Sequence, residues 1–224
     1  MDIDYKVFAS GMVDEQLITR SITSRPVLDA MRSVPRHLFV PERLRGDAYV
    51  DSPLPIGLGQ TISQPYIVAY MTERLDPKPG MKILEIGTGS GYQAAVLAHI
   101  GCEVFSIELR EELAAAASKV FTSLNIRGVH VKCGDGFYGW PEEAPFDAVI
   151  VTAAPEDVPE RLTKQLAEGG RLIVPVGKAN SVQWLKLFSK ADGRLTETEL
   201  IPVRFVPMVN AQAGRDQRRF IEEG

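Results

Sequence analysis

Leu84-Glu85-Ile86-Gly87-Thr88-Gly89-Ser90-Gly91-Tyr92 decides how this chain folds. An apolar run from Met81 to Ile86, interrupted by one lysine, reads as a buried strand, and three glycines on alternate positions follow it. Tyr92 to Ile100 is then compatible with a helix. Strand, tight turn and helix in that order open a doubly wound sheet, whose ligand crevice lies at the strand's carboxyl end. Glycine allows the sharp turn and the close approach of backbone to ligand. A dinucleotide fingerprint would read G-x-G-x-x-G. Here the third glycine comes one residue early, and Glu85 stands two residues before the first. A carboxylate there would repel a pyrophosphate and suits a cationic ligand or hydroxyl donors.

The alternation continues downstream. Strands are predicted over 82–86, 103–107, 129–133, 147–151 and 171–175, and helices over 91–99, 110–124 and 158–167. That pattern is an α/β fold: a doubly wound, mostly parallel sheet with both faces covered. Val182–Phe188 and Leu195–Ile201 flank Asp192-Gly193, a hairpin signal that adds an antiparallel pair at the sheet edge. Residues 1–50 read as a helical N-terminal extension, with apolar residues at helical spacing in Met12–Ser21 and Pro26–Val34. Asp51–Gly59 reads as a loop, 65–75 as an amphipathic helix, and 211–224 as a polar tail with partial disorder. At 224 residues, one domain over 1–224 is the default.

Composition narrows the class. Apolar content of 45% and charged content of 24% are those of a globular enzyme. A net charge of −4 with no basic run argues against a nucleic-acid partner. No apolar run is long enough to span a membrane, and the acidic start Met1–Tyr5 shows no secretory signal, so the cytoplasm is expected. Cys102 and Cys133 are expected as buried, reduced thiols. His37, His99 and His130 share no ligand spacing, so no metal is expected. A monomer is the default assembly.

Two more acids end strands. Glu108 follows the second strand, 23 positions after Glu85, where an acid commonly accepts ribose hydroxyls. Asp135, in Gly134-Asp135-Gly136, ends the third strand, where its carboxylate could accept a base's amino group. Singly, each has a plainer reading: an acid near a helix N-terminus, or a turn residue. Three acids at three successive strand ends favour a cofactor site. The stretch Pro55 to Pro65 reads as a loop feeding a helix, with Ser63 or Gln64 as cap. Alternatively, free amides and hydroxyls at that helix end bind an anion.

The acid-x-G-x-G-x-G pattern resembles motif I of methyltransferases that use S-adenosylmethionine. Further matching segments are Pro35-Arg36-His37-Leu38-Phe39-Val40-Pro41, Tyr49 to Pro65, Gly134-Asp135-Gly136, Phe146 to Pro155, Gly169 to Gly177 and Val203-Arg204-Phe205-Val206-Pro207-Met208. Gly59-Gln60-Thr61-Ile62-Ser63-Gln64-Pro65 joined to Arg204-Phe205-Val206-Pro207 is far more specific than motif I. Over roughly positions 35 to 208 the chain resembles the protein-L-isoaspartate (D-aspartate) O-methyltransferases. That resemblance implies methylation of the free α-carboxylate of isoaspartyl residues in damaged proteins and peptides, after which the ester cyclises to a succinimide that can reopen to aspartate. It implies S-adenosyl-L-methionine as cofactor and places the family's active-site serine at Ser63. Cofactor contacts carry over to Thr61, Ile62, Glu85, Gly87, Thr88, Gly89, Ser90, Gly91, Glu108, Leu109, Asp135 and Gly136. Substrate contacts are expected from Ile56, Gly57, Gln60, Val206 and Pro207. One departure is Val209, where some members carry threonine. The alternatives are a small-molecule or RNA methyltransferase on the same scaffold, and a non-catalytic cofactor-binding protein.

The implied chemistry asks little of the protein. An α-carboxylate is ionised at neutral pH, since it titrates near ~3.5. Catalysis then reduces to alignment and desolvation, with Ser63 orienting the carboxylate by one hydrogen bond.

Overall fold

The computed structural model describes residues 4–211. Apart from Ala211, the tail expected over 211–224 lies outside the described residues. Seven strands form one sheet in the order β5-β4-β3-β6-β7-β8-β9. They are β3 (Lys82–Ile86), β4 (Glu103–Glu108), β5 (Val129–Cys133), β6 (Phe146–Val151), β7 (Leu166–Val176), β8 (Gln183–Ala191) and β9 (Arg194–Val203). The pairs from β5 to β7 are parallel, and β8 and β9 add antiparallel neighbours. The chain runs outward from β3 through β4 to β5, then crosses back to lay β6 on β3's other side. That reversal opens a crevice beyond the carboxyl ends of β3 and β6.

Side-chain parity assigns the two faces. Ile83, Val104, Ala148 and Ile150 point into a core shared with α3 (Pro65–Leu75), α4 (Tyr92–Ile100), α5 (Glu111–Ser123) and the N-terminal helices. Leu84, Ile86, Phe105, Val149, Val151 and Leu172 face a second core with Leu162 of α6 (Glu160–Lys164). Central strands are therefore apolar on both faces, which is why β3 and β6 read as continuous apolar runs.

The N-terminal residues are helical: α1 (Tyr5–Gly11), a π-helical stretch Met12–Leu17, a 3-10 turn Ile18–Arg20, and α2 (Arg25–Ser33). Their buried Met12, Leu17, Val27 and Met31 share the core under α4. The Asp192–Gly193 turn has two residues, both at positive φ (52° and 69°), the geometry a two-residue hairpin demands.

Three expectations change. The stretch read as a loop over 51–59 contains β1 (Leu54–Gly57), which pairs antiparallel with β2 (Gln60–Ile62) across Gly57, Leu58 and Gly59, all at positive φ. The helix expected over 158–167 is short: α6 ends at Lys164 and β7 begins at Leu166. Buried Gln165 breaks it, its amide accepting from Trp140 N at 2.8 Å and donating to Tyr138 O at 2.8 Å. Cys102 is buried, but Cys133 ends edge strand β5 and is exposed.

Candidate active site

Two cavities meet at the crevice. The first is walled by the turn after β3, by the ends of β4 and β6, by Gln60–Ser63 and by Val206–Val209. Gly87 and Gly91 sit at φ +97° and +89°. A Cβ on Gly87 would lie 2.4 Å from Thr152 Oγ1, and one on Gly91 2.6 Å from the Phe121 ring. Both positions therefore require glycine. Gly91 lies outside the cavity lining; it lets α4 start against α5.

Thr88, Gly89, Ser90, Glu108, Leu109, Gly136, Thr61 and Ile62 all line the first cavity. Glu108 accepts Gly89 N at 2.8 Å through Oε2 and Arg110 N at 3.0 Å through Oε1. Each oxygen receives one backbone donor and keeps a lone pair, so the buried carboxylate can accept hydroxyls as well. On the far wall Gly136 packs so closely that a Cβ would meet Ile86 Cγ2 at 2.4 Å.

Glu85 is placed differently from expectation. It is fully buried and absent from the cavity lining. In register with Ser106, it points into the helix-covered face beneath the glycine turn. Ser106 Oγ donates to Glu85 Oε2, and the Thr88 and Ser106 hydroxyls are 2.6 Å apart, so a relay links the buried acid to the cavity wall. Burial pushes its carboxyl up to about 8, with the Ser106 bond opposing and nearby Glu108 adding to the rise. Between its ordinary value and about 8, the folded protein binds a proton here that the unfolded chain has released. Stability must fall as pH rises through that window. Glu85→Gln keeps an acceptor for Ser106 and removes the titration. Chemical denaturation at pH 5, 6.5 and 8 should show a flatter pH dependence for Glu85→Gln than for wild type. Identical slopes would assign the proton elsewhere.

Asp135 also departs from expectation. It caps the short Gly136–Tyr138 turn through Phe137 N at 3.0 Å, and its other oxygen accepts Ala211 N at 2.9 Å. Both oxygens serve backbone donors, and Gly136 rather than Asp135 lines the cavity.

The second cavity is lined by Arg20, Gln64, Tyr66, Val203, Arg204 and Phe205 among others, and by no carboxylate. Arg20 stacks 3.4 Å over the Tyr66 ring and pairs with Asp51 at 2.6 Å. Arg204 is exposed and, among the described residues, has no carboxylate partner. Thr61, Ser63, Thr152 and Val206 line both cavities and mark their junction. Of the other residues expected to touch substrate, Gln60 and Pro207 line the first cavity. Ile56 and Gly57 line neither and form the hairpin packed over Gly89.

Ser63 caps no helix. The cap of α3 is Gln64, with no side-chain hydrogen bond. The carboxylate of Asp51 fills the helix end, accepting Tyr66 N at 3.3 Å and Gln64 Nε2 at 2.7 Å. Of the amides expected to hold an anion there, Tyr66 N is taken by Asp51. Among the described residues the Ser63 hydroxyl has no hydrogen-bond partner, and it sits at the junction.

Sequence reading missed Thr152. Its Oγ1 donates to Gly87 O at 2.7 Å and Ile86 O at 3.0 Å, tying β6 to the glycine turn. Its place directly after β6 was the available signal, since crevice residues follow strand ends. Arg20 and Tyr66 carried no such signal, while Val209, noted as a departure from the family pattern, does line the first cavity.

The family model described as protein-L-isoaspartate (D-aspartate) O-methyltransferase matches residues 9–213. A protein-L-isoaspartate O-methyltransferase of Opitutus terrae is 59% identical over 196 residues, covering 88% of this chain and 84% of its own. One of Gloeobacter violaceus is 54% identical over 197 residues, covering 88% and 96%. A solved protein-L-isoaspartate O-methyltransferase superposes with TM-score 0.82 at 31% identity, covering 92% of this chain and 66% of that one. A putative protein-L-isoaspartate O-methyltransferase of Plasmodium falciparum, solved with S-adenosyl-L-homocysteine, gives 0.79 at 27% identity, covering 93% and 99%.

Proposed function

The chain belongs to the protein-L-isoaspartate (D-aspartate) O-methyltransferase family, and from that premise we propose how its two joined cavities divide the work. The family's reaction is this chain's reaction: S-adenosyl-L-methionine-dependent methylation of isoaspartyl residues in damaged protein. The first cavity fits the cofactor. It offers backbone made approachable by glycine, a buried Glu108 with spare lone pairs for ribose hydroxyls, and a Gly136 wall thinned for a flat ring. When bound, the cofactor supplies a methyl group already activated by its sulfonium charge.

The second cavity takes the isoaspartyl peptide. The observation that carries this reading is the junction: four residues border both cavities, and the acceptor side has no carboxylate in its lining. That side bears Arg204, which pairs with no carboxylate among the described residues, beside Arg20, which pairs with Asp51. Ser63 donates its free hydroxyl to one oxygen of the α-carboxylate and leaves the other aimed across the junction. No general base is needed. Thr152 and Val206 hold the two walls at a fixed separation. The main test is methyl transfer to a peptide carrying isoaspartate against its aspartyl twin.

The role of Ser63 has its own test. A hydrogen bond to a charged group is worth about 1.5–3 kcal/mol. Ser63→Ala should therefore lower kcat/KM for isoaspartyl peptide by about ten- to a hundred-fold. The melting temperature should stay close to wild type, because the Ser63 hydroxyl makes no capping hydrogen bond to α3. Thermal unfolding and single-turnover transfer on one preparation separate the cases; a lowered melting temperature with an unchanged rate returns Ser63 to a structural role.

We propose that the chain works as a single-domain monomer in the cytoplasm; the core that the N-terminal helices share with α3 and α4 supports the single domain. Among the described residues no helix is long and apolar enough to cross a membrane.

A further inference from the structure

Arg36 is a buried cation that the chemistry above leaves unused. It is fully buried, and it belongs to the Pro35-to-Pro41 segment. Its Nε donates to Ala48 O at 2.7 Å and its Nη2 to Ser63 O at 2.8 Å, while the guanidinium lies 4.8 Å from the Tyr92 ring centroid. Its Nη1 is buried with no well-formed hydrogen bond, and the polar side-chain group favouring its charge at close range is the Tyr92 hydroxyl. Among the described residues no carboxylate pairs with it. The charged or titratable groups facing it are Tyr92 from α4 and Tyr49 and Asp51 from the segment before β1. Asp51 is already engaged by Arg20, Gln64 and Tyr66 N. Burial lowers the guanidinium to about 10, which still leaves it charged at neutral pH.

A buried charge without a counter-ion is costly, and an amide could have tied Ala48 to Ser63 without one. The charge therefore has use for something that arrives. The Nη2 of Arg36 holds the carbonyl of Ser63, a residue of the junction, where in the proposed function a carboxylate is the incoming group. We infer that Arg36 is a positioning residue for the acceptor: it clamps the Ser63 carbonyl, which sets the hydroxyl's direction, and its unneutralised charge draws the substrate carboxylate to the junction. This rests on the function proposed above. In a water-poor wall such a charge is weakly screened, so it acts across one peptide group.

The test compares Arg36→Gln and Arg36→Lys with wild type. Three readouts are needed: S-adenosylhomocysteine affinity by calorimetry, KM for isoaspartyl peptide, and single-turnover transfer across pH 7 to 9. Arg36→Gln should raise the peptide KM at least about tenfold, the loss of one charge-assisted contact, while cofactor affinity changes less than about threefold. Arg36→Lys restores charge without the fork, so it should recover part of that loss at pH 7. A buried ammonium sheds its proton more readily than a guanidinium, so the recovery should fade toward pH 9 relative to wild type. Equal losses in both variants, independent of pH, would overturn the inference, as would a parallel fall in cofactor and peptide affinity. If Arg36→Gln does not fold, the pH profile of Arg36→Lys decides alone. Wild-type enzyme that ignores isoaspartyl peptide would remove the underlying function instead.

Discussion

A peptide carrying isoaspartate should be methylated at least about a hundred times faster than its twin carrying ordinary aspartate at the same position, the penalty of misplacing a reacting atom by about 1 Å. In isoaspartate the free carboxylate is attached directly to Cα, and the backbone leaves through the side chain. In aspartate the free carboxylate is one methylene farther out and the backbone runs past it. The acceptor groove has little freedom to adapt. Gln183 clamps Phe205 from both sides, accepting its N–H at 2.6 Å and donating to its carbonyl at 3.1 Å. Ala154 pins the next residues, donating to Val206 O and accepting Met208 N, both at 2.8 Å. With that wall and the Ser63 segment fixed, one extra methylene takes the oxygen out of line. The measurement is initial rates on the paired peptides at equal concentration. Equal rates would end the repair assignment and favour a less selective methyltransferase.

Gly87→Ala should cost the fold about 2–6 kcal/mol and weaken S-adenosylhomocysteine binding at least about tenfold. Two penalties combine: a positive φ that alanine occupies at about 1–3 kcal/mol, and overpacking of about 1–3 kcal/mol. The new methyl would sit 2.4 Å from Thr152 Oγ1, at the point where that hydroxyl holds the turn. A cycle separates them. Thr152→Ala clears the space, so the double variant should be less damaged than the sum of the singles. Chemical denaturation and calorimetry on all four proteins give the answer. Additive losses would show that backbone strain alone matters at Gly87.

Local features were legible in the sequence because neighbouring residues specify them. The strand, glycine turn and helix around Gly87, the Asp192-Gly193 hairpin and the place of Glu108 all rest on short-range pattern. What failed depends on distant partners. Glu85 stands where a ligand-facing acid belongs, yet strand parity and its register with Ser106 turn it beneath the turn. Asp135 caps the Gly136–Tyr138 turn and accepts Ala211 N, contacts set by the fold around it, and Gly136 beside it reaches the cavity lining instead. The cap of α3 went to Gln64, the other candidate, and Asp51, a carboxylate twelve positions before Ser63, folds back onto Tyr66 N, which no local pattern shows. Thr152 and Gly87 meet across 65 residues, and no local signal joins them.

Thr152 also constrains thermodynamics. Its side chain belongs to both cavities, so anything that shifts it on one side is felt on the other. In the proposed division of the cavities, methyl donor and acceptor are expected to bind as linked ligands rather than independent ones. Reciprocity fixes the accounts: whatever factor the donor applies to acceptor affinity, the acceptor applies to donor affinity. The spent donor differs from the fresh one by a methyl group and a positive charge. Through the shared wall, that difference reaches the affinity for the ester product, so turnover and release are governed by the same few atoms.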